Sequence, residues 1–248
     1  MGLSWSLFVA SPGRAQLRDY LVRAPDRESA LGRARKLCEQ LGDDAKLMEA
    51  LLALAHFRIG QRDFEVGREL ARTVLAMAEQ AKASAMLAGA DFLLGLVDFN
   101  TGRFPAAREH FEHAIELFGD TPVHNYGAYF AQSAPTVLVG VLIRLGYPST
   151  ALSKGHELLA AARRSSDPNS IALVLLRNAA HHLMLRDTRM ASERADEMLA
   201  IATEHEIAFG MIAATFVRGW ATPAAGGAER ESTRCAEVYL TPLPLERE

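Results

Sequence analysis

Paired helical patterns recur along this chain about every forty residues, and that period constrains the fold more than any other feature. The clearest copy runs through Leu94-Gly95, then Gly102-Arg103-Phe104-Pro105-Ala106-Ala107, then Phe111 and Ala114. A module of that size cannot bury its apolar face alone, so neighbours must stack and shield one another. The 248 residues leave room for about five such hairpins. Alanine and leucine dominate, both strong helix formers, and β-branched runs are short. The predicted fold class is therefore all-α, an α–α superhelix built as a solenoid.

The pattern sets the domain organisation. An amphipathic helix fits about 13–22 and ends before Pro25. A second fits about 28–41, with Ala30, Leu31, Ala34, Leu37, Cys38 and Leu41 on one face. Gly42-Asp43-Asp44 stops it, and either aspartate can cap the next helix. Apolar first helices are predicted over about 45–60, 84–101, 124–145, 169–186 and 207–221. Second helices, with small contact residues and charges outside, fit about 63–82, 104–118, 149–164 and 188–205. Pro105 and Pro148 fall in first turns, where the missing N–H costs nothing. Pro135 lies inside a predicted helix and predicts a kink or a split near Ser133.

Residues 1–27 read as an N-terminal helix or ragged end, and 28–221 as the repeat domain. The stretch 222–248 holds Pro223, Gly226, Gly227, Pro242 and Pro244 with little to bury, so a disordered tail is expected. The last first helix has no second helix after it, which predicts a truncated array or a gene fragment.

Several function classes are excluded by composition and motif. The net charge of -3 gives no general attraction to nucleic acid or anionic membrane. Arg14, Arg18, Arg23, Arg27, Arg33, Arg35 and Lys36 are interrupted by acids and lack interleaved aromatics, so nucleic-acid binding is not expected. No apolar run reaches the roughly eighteen residues of a membrane span. Met1-Gly2-Leu3-Ser4-Trp5-Ser6 fits a myristoylation spacing only formally, without a supporting signal. Two distant cysteines, Cys38 and Cys235, make no disulfide framework, which points to a reducing cytoplasm.

Catalytic and metal chemistry find little support. No GxSxG elbow or Cys/His nucleophile signature is present. His110 and His113 are expected on an outer face, opposite buried Phe111, and adjacent His181 and His182 must point differently. A metal site needs convergent ligands, so no metal, no cofactor and no enzymatic activity are expected. A histidine-based metal-binding helical protein is the weaker alternative. The cluster Tyr126, Tyr129 and Phe130 either anchors a partner or fills the joint left by Pro135.

The segment 87–120 resembles a tetratricopeptide repeat, through Leu94, Gly95, Gly102, Phe104, Ala107, Phe111 and Ala114. A more specific likeness covers 28–221. It is carried by Arg33 to Asp43, Phe104 to Glu112, Leu145-Gly146-Tyr147-Pro148, Ala202-Thr203-Glu204-His205 and Arg218-Gly219-Trp220-Ala221. These phrases resemble the repeat region that follows the ATPase module in bacterial class III adenylate/guanylate cyclase-type signalling proteins. They are also similar to the repeat arms of the maltose-regulator type. No GxxxxGKS or GxxxxGKT loop and no paired cyclase aspartates occur, so those activities are not implied.

The resemblance implies a non-catalytic interaction scaffold, a regulatory or sensor arm whose partner is a protein or peptide segment, with a cognate ATPase or cyclase module as candidate. In such repeats the first helices line a groove, and an asparagine clamps ligand backbone; Asn100 stands at that place. The implied groove set is His56, Phe92, Leu96, Phe99, Asn100, Tyr126, Tyr129 and Arg144. The opposing reading packs Phe92 and Phe99 against adjacent hairpins.

Overall fold

Each hairpin turn is built on one residue of left-handed backbone: Arg62 (φ 68), Gly102 (φ 80), Gly146 (φ 85) and Arg186 (φ 60). That conformation ends the preceding helix and lets an N–H reach back five residues, as in Asp63 to Arg58 O and Arg103 to Asp98 O. The computed structural model describes residues 24–119 and 126–221.

Among the described residues there are ten α-helices and no strand. They are α1 (Ala24–Leu41), α2 (Asp44–Gly60), α3 (Phe64–Ala81), α4 (Ser84–Asn100) and α5 (Phe104–Phe118). Then come α6 (Tyr126–Arg144), α7 (Pro148–Ser165), α8 (Pro168–Met184), α9 (Thr188–Glu204) and α10 (Ala208–Ala221). Caps fix several starts: the side chains of Asp43 and Asp187 accept from Lys46 N and Met190 N, at 3.0 and 3.1 Å.

The helices divide into two kinds. First helices such as α2 and α4 are buried almost all round, with Leu51, Leu52, Phe57, Leu93 and Val97 in the core. Second helices bury one narrow stripe. In α3 it is Gly67, Ala71, Val74 and Ala78; in α5, Ala107, Phe111, Ala114 and Phe118; in α9, Ala191, Ala195, Met198 and Ala202. Small side chains along that stripe let helix axes approach closely. Gly95 shows how close: a Cβ there would lie 2.9 Å from the Phe111 ring.

The described residues belong to two compact units, the first ending at Lys154 and the second starting at Gly155. In the first, α4 packs against α2, α3, α5 and α6, and α1 packs on α2. In the second, α8, α9 and α10 pack on one another.

Three expectations outside the groove need correction. The helix holding Pro135 is not split near Ser133; α6 runs unbroken from Tyr126 to Arg144. Phe130, Ala134, Val137 and Leu138 are buried on both sides of the proline, so packing holds the two halves in one helix. The α1 stripe is not buried either: Ala30, Ala34, Leu37 and Leu41 are exposed and Cys38 is only half-buried. The third concerns His110 and His113, whose placement belongs with the site. The predicted helix at 13–22 and the predicted tail at 222–248 lie outside the described residues.

Candidate protein-binding surface

The eight residues singled out from sequence all fall in the first unit, on α2, α4 and α6. Phe92 and Leu96 are 0% and 1% exposed. The Phe92 ring stacks on Phe130 with centroids 4.7 Å apart and meets Phe111 at 5.8 Å. Their assignment to a groove is therefore corrected. Four helices surround α4, so a residue on any of its faces at mid-length finds a neighbour.

Two partly exposed groups lie at either side of that aromatic core. In the first, His56 of α2 meets Tyr129 and Phe130 of α6, at 5.6 and 5.5 Å between ring centroids. Tyr129 is half-buried, whereas His56 is nearly enclosed. In the second, the Arg144 guanidinium lies over Phe99 at 4.6 Å and over Phe104 at 5.6 Å. Phe99 and Phe104 themselves meet edge to face across the turn, at 6.1 Å. Arg144 also donates to the Gly140 carbonyl at 3.0 Å, and burial pushes its pKa down from the ordinary value. A guanidinium held over aromatic rings keeps its charge and loses little freedom on binding.

Asn100 sits beside this stack, half-buried, its amide N–H donating to the Leu96 carbonyl at 2.8 Å. Its described hydrogen bond is thus with its own helix. The side chain of Tyr126 lies outside the described residues. Phe104 was not in the predicted set; its spacing from Phe99 across a glycine turn was the available signal.

Behind the stack lies a buried ionic network that sequence reasoning missed. Asp98 of α4 is 3% exposed and accepts from Arg68 of α3 at 2.9 Å and from Arg103 of the turn at 2.7 Å. Asp91, two turns earlier on the same face of α4, is 4% exposed. Nδ1 of His110 and Nδ1 of His113, both on α5, stand 2.8 and 2.7 Å from its two oxygens. The imidazoles expected to face solvent therefore reach across to a buried carboxylate, although His113 is still more than half exposed. A buried carboxylate needs such partners, since an uncompensated charge is costly there. The turn between α4 and α5, which Phe99, Asn100 and Phe104 flank, is tied through Asp98 to Arg68 of α3 and to its own Arg103.

The second unit has a polar cluster of its own. Arg177, Asn178, His181 and His182 of α8 are all buried. Nδ1 of His182 lies 3.2 Å from Asp187, and burial pushes its pKa below the ordinary value against that carboxylate's pull. Among the described residues, no group of three or more His, Cys, Asp or Glu side chains is placed to hold a metal ion. Among them too, no helix is long and apolar enough to cross a membrane.

This arrangement defines a class before any relative is considered: helical hairpins whose turns present fixed side chains. No known family pattern matches the chain, and no curated protein matches it. Among solved structures it is similar to BtubC (BKLC) from P. vanneervenii, at 18% identity and a TM-score of 0.62. The match covers 91% of this chain and 96% of that one. Likeness at that identity establishes the fold alone, all-α and of the α–α superhelical kind.

Proposed function

We propose that this chain is a non-catalytic scaffold that binds a protein or peptide segment through the α4–α6 edge of its first unit. The reading is supported chiefly by one observation: the Arg144 guanidinium lies over Phe99 and Phe104 and is tied to the Gly140 carbonyl while still partly exposed. Aromatic and arginine side chains carry most of the energy at protein interfaces, and ordering them in advance removes part of the entropic cost of binding. Asn100 lies beside this stack, while Tyr129 with His56 beneath it would form a second contact further along α6. Phe92 and Leu96 serve by filling the core under it.

The resemblance of the short sequence phrases to cyclase-associated repeat arms suggests the context. The partner would be a cognate ATPase or cyclase module in the cytoplasm, and the chain its regulatory or sensor arm. A photo-crosslinking side chain introduced at Asn100 tests the surface, with the same group at Arg189 in the second unit as control. The expected result is a defined protein adduct from position 100 that disappears when Arg144→Ala is added. Equal labelling from both positions, or no dependence on Arg144, would remove this surface from the account.

A further inference from the structure

Three junctions in the first unit use the same three positions, forty or so residues apart, with different chemistry at each. At the α1–α2 junction the trio is Glu28, Arg58 and Asp63. Arg58 donates to Glu28 at 2.7 Å and lies 3.6 Å from Asp63. At the α3–α4 junction the equivalent residues are Arg68, Asp98 and Arg103. Both arginines donate to Asp98, at 2.9 and 2.7 Å. Every charge is inverted between the two. At the third, the positions hold Arg108, Leu142 and Tyr147, with Leu142 buried and the Arg108 guanidinium over the Tyr147 ring at 5.8 Å. The central position thus reads cation, anion, aliphatic in chain order.

We propose that these trios form a neighbour code, by which each hairpin accepts its proper predecessor and repels the others. The hairpins are otherwise built on one plan: the buried stripes of α3 (Gly67, Ala71, Val74, Ala78) and α5 (Ala107, Phe111, Ala114, Phe118) share one spacing and are wholly apolar, so the stripe carries no charge that could tell one neighbour from another. Apolar stacking alone would let α1 of one copy of this chain settle on α4 of another, in the place of α3. In that arrangement Glu28 faces Asp98, and the displaced Arg68 faces Arg58. Both are like-charge encounters, the strongest means of rejecting a wrong partner. The correct pairs at the half-exposed first junction contribute little stability by themselves, so their effect lies in what they exclude. Fixing register is also the best-attested use of ion pairs at packed helix contacts.

The test makes the first junction read like the second. In the full chain, Glu28→Arg, Arg58→Asp and Asp63→Arg are combined, and a second variant carries the first two changes with Asp63→Asn, so that no carboxylate faces the new aspartate. The three side chains are 46% (Glu28), 31% (Arg58) and 39% (Asp63) exposed, and the Asp63 side chain makes no cap hydrogen bond, so the fold should tolerate them. Thermal unfolding and size-exclusion after refolding at high concentration are then compared with wild type and with Glu28→Arg alone. The expected result is that Glu28→Arg lowers the melting temperature by about 1–3 °C, and the combined variants recover it. The combined variants then refold with a loss of monomer to exchanged dimers and larger species, because the wrong junction is no longer repelled. Refolding as cleanly as wild type overturns the code. So does a combined variant that melts no higher than Glu28→Arg, since the polarity would then not be interchangeable.

Discussion

Helices α4 and α8 each open a hairpin, and each buries polar side chains among aliphatic neighbours. In α4, Asp91 and Asp98 are met by Arg68 from one side, by His110 and His113 from the other, and by Arg103 from the turn. In α8, Oδ1 of Asn178 and Nε2 of His182 find no hydrogen-bond partner among the described residues, although both residues are 4% exposed. Asp98 and His182 occupy the same place in the repeat, so a closed network in one unit is matched by an incomplete one in the other. A closed network resists removal of any member, whereas an unpaired buried polar atom costs stability as it stands.

The sharpest way to break that contrast is to delete one member from each. Asp98→Ala leaves Arg68 buried and uncompensated, and should cost about 3 kcal/mol in urea unfolding. Asn178→Leu removes an unpaired polar atom and should cost less than about 1 kcal/mol, or stabilise. Equal losses at the two sites would erase the distinction.

A smaller effect concerns packing at the same two places. Gly95 of α4 faces the Phe111 ring, while the matching positions in the second unit are both alanine, Ala179 and Ala195. Gly95→Ala would press its Cβ against a fully buried ring. The overpacking cost of about 1–3 kcal/mol exceeds the gain of about 1 kcal/mol in helix propensity, giving a net loss near 1 kcal/mol. A melting temperature above that of wild type would show that the α4–α5 spacing relaxes freely.

The smallest expected effect is a pH dependence. The folded His182 imidazole titrates below its ordinary 6.5 because burial disfavours its charge. The unfolded chain therefore takes up the proton first as pH falls. Stability on this account is constant above about pH 6.5 and declines below it, down to the folded value. Urea midpoints at pH 7.5 and 5.5 should differ less for His182→Gln than for wild type. An unchanged difference would remove His182 from the pH response.

Much of the fold was legible in the sequence because two periods carried it. The forty-residue spacing of turns, with Gly102 and Gly146 on left-handed backbone, located the hairpins, and the spacing Ala107, Phe111, Ala114 located the buried stripe. Pro135 misled because its rule is local, whereas the packing around Phe130 and Val137 that keeps α6 continuous is not. The site was less legible. Burial of Phe92 and Leu96 depends on four helices closing around α4. The role of His110 and His113 depends on an aspartate some twenty residues away in the chain, on a helix that reads as apolar. Charge inversion between junctions becomes visible only once Glu28 and Arg58 are known to touch.

The account rests on the α4–α5 turn being held rigid by Asp98, so that Phe99, Asn100 and Phe104 are presented ready-made. Native-state hydrogen exchange on wild type and Asp98→Asn tests this most directly. The account predicts that amides of the last turn of α4 and the first turns of α5 lose most protection, with α3 next and α1 least. Wild-type protection at residues 96–108 in the variant, or a loss spread evenly over α1 to α6, would contradict it.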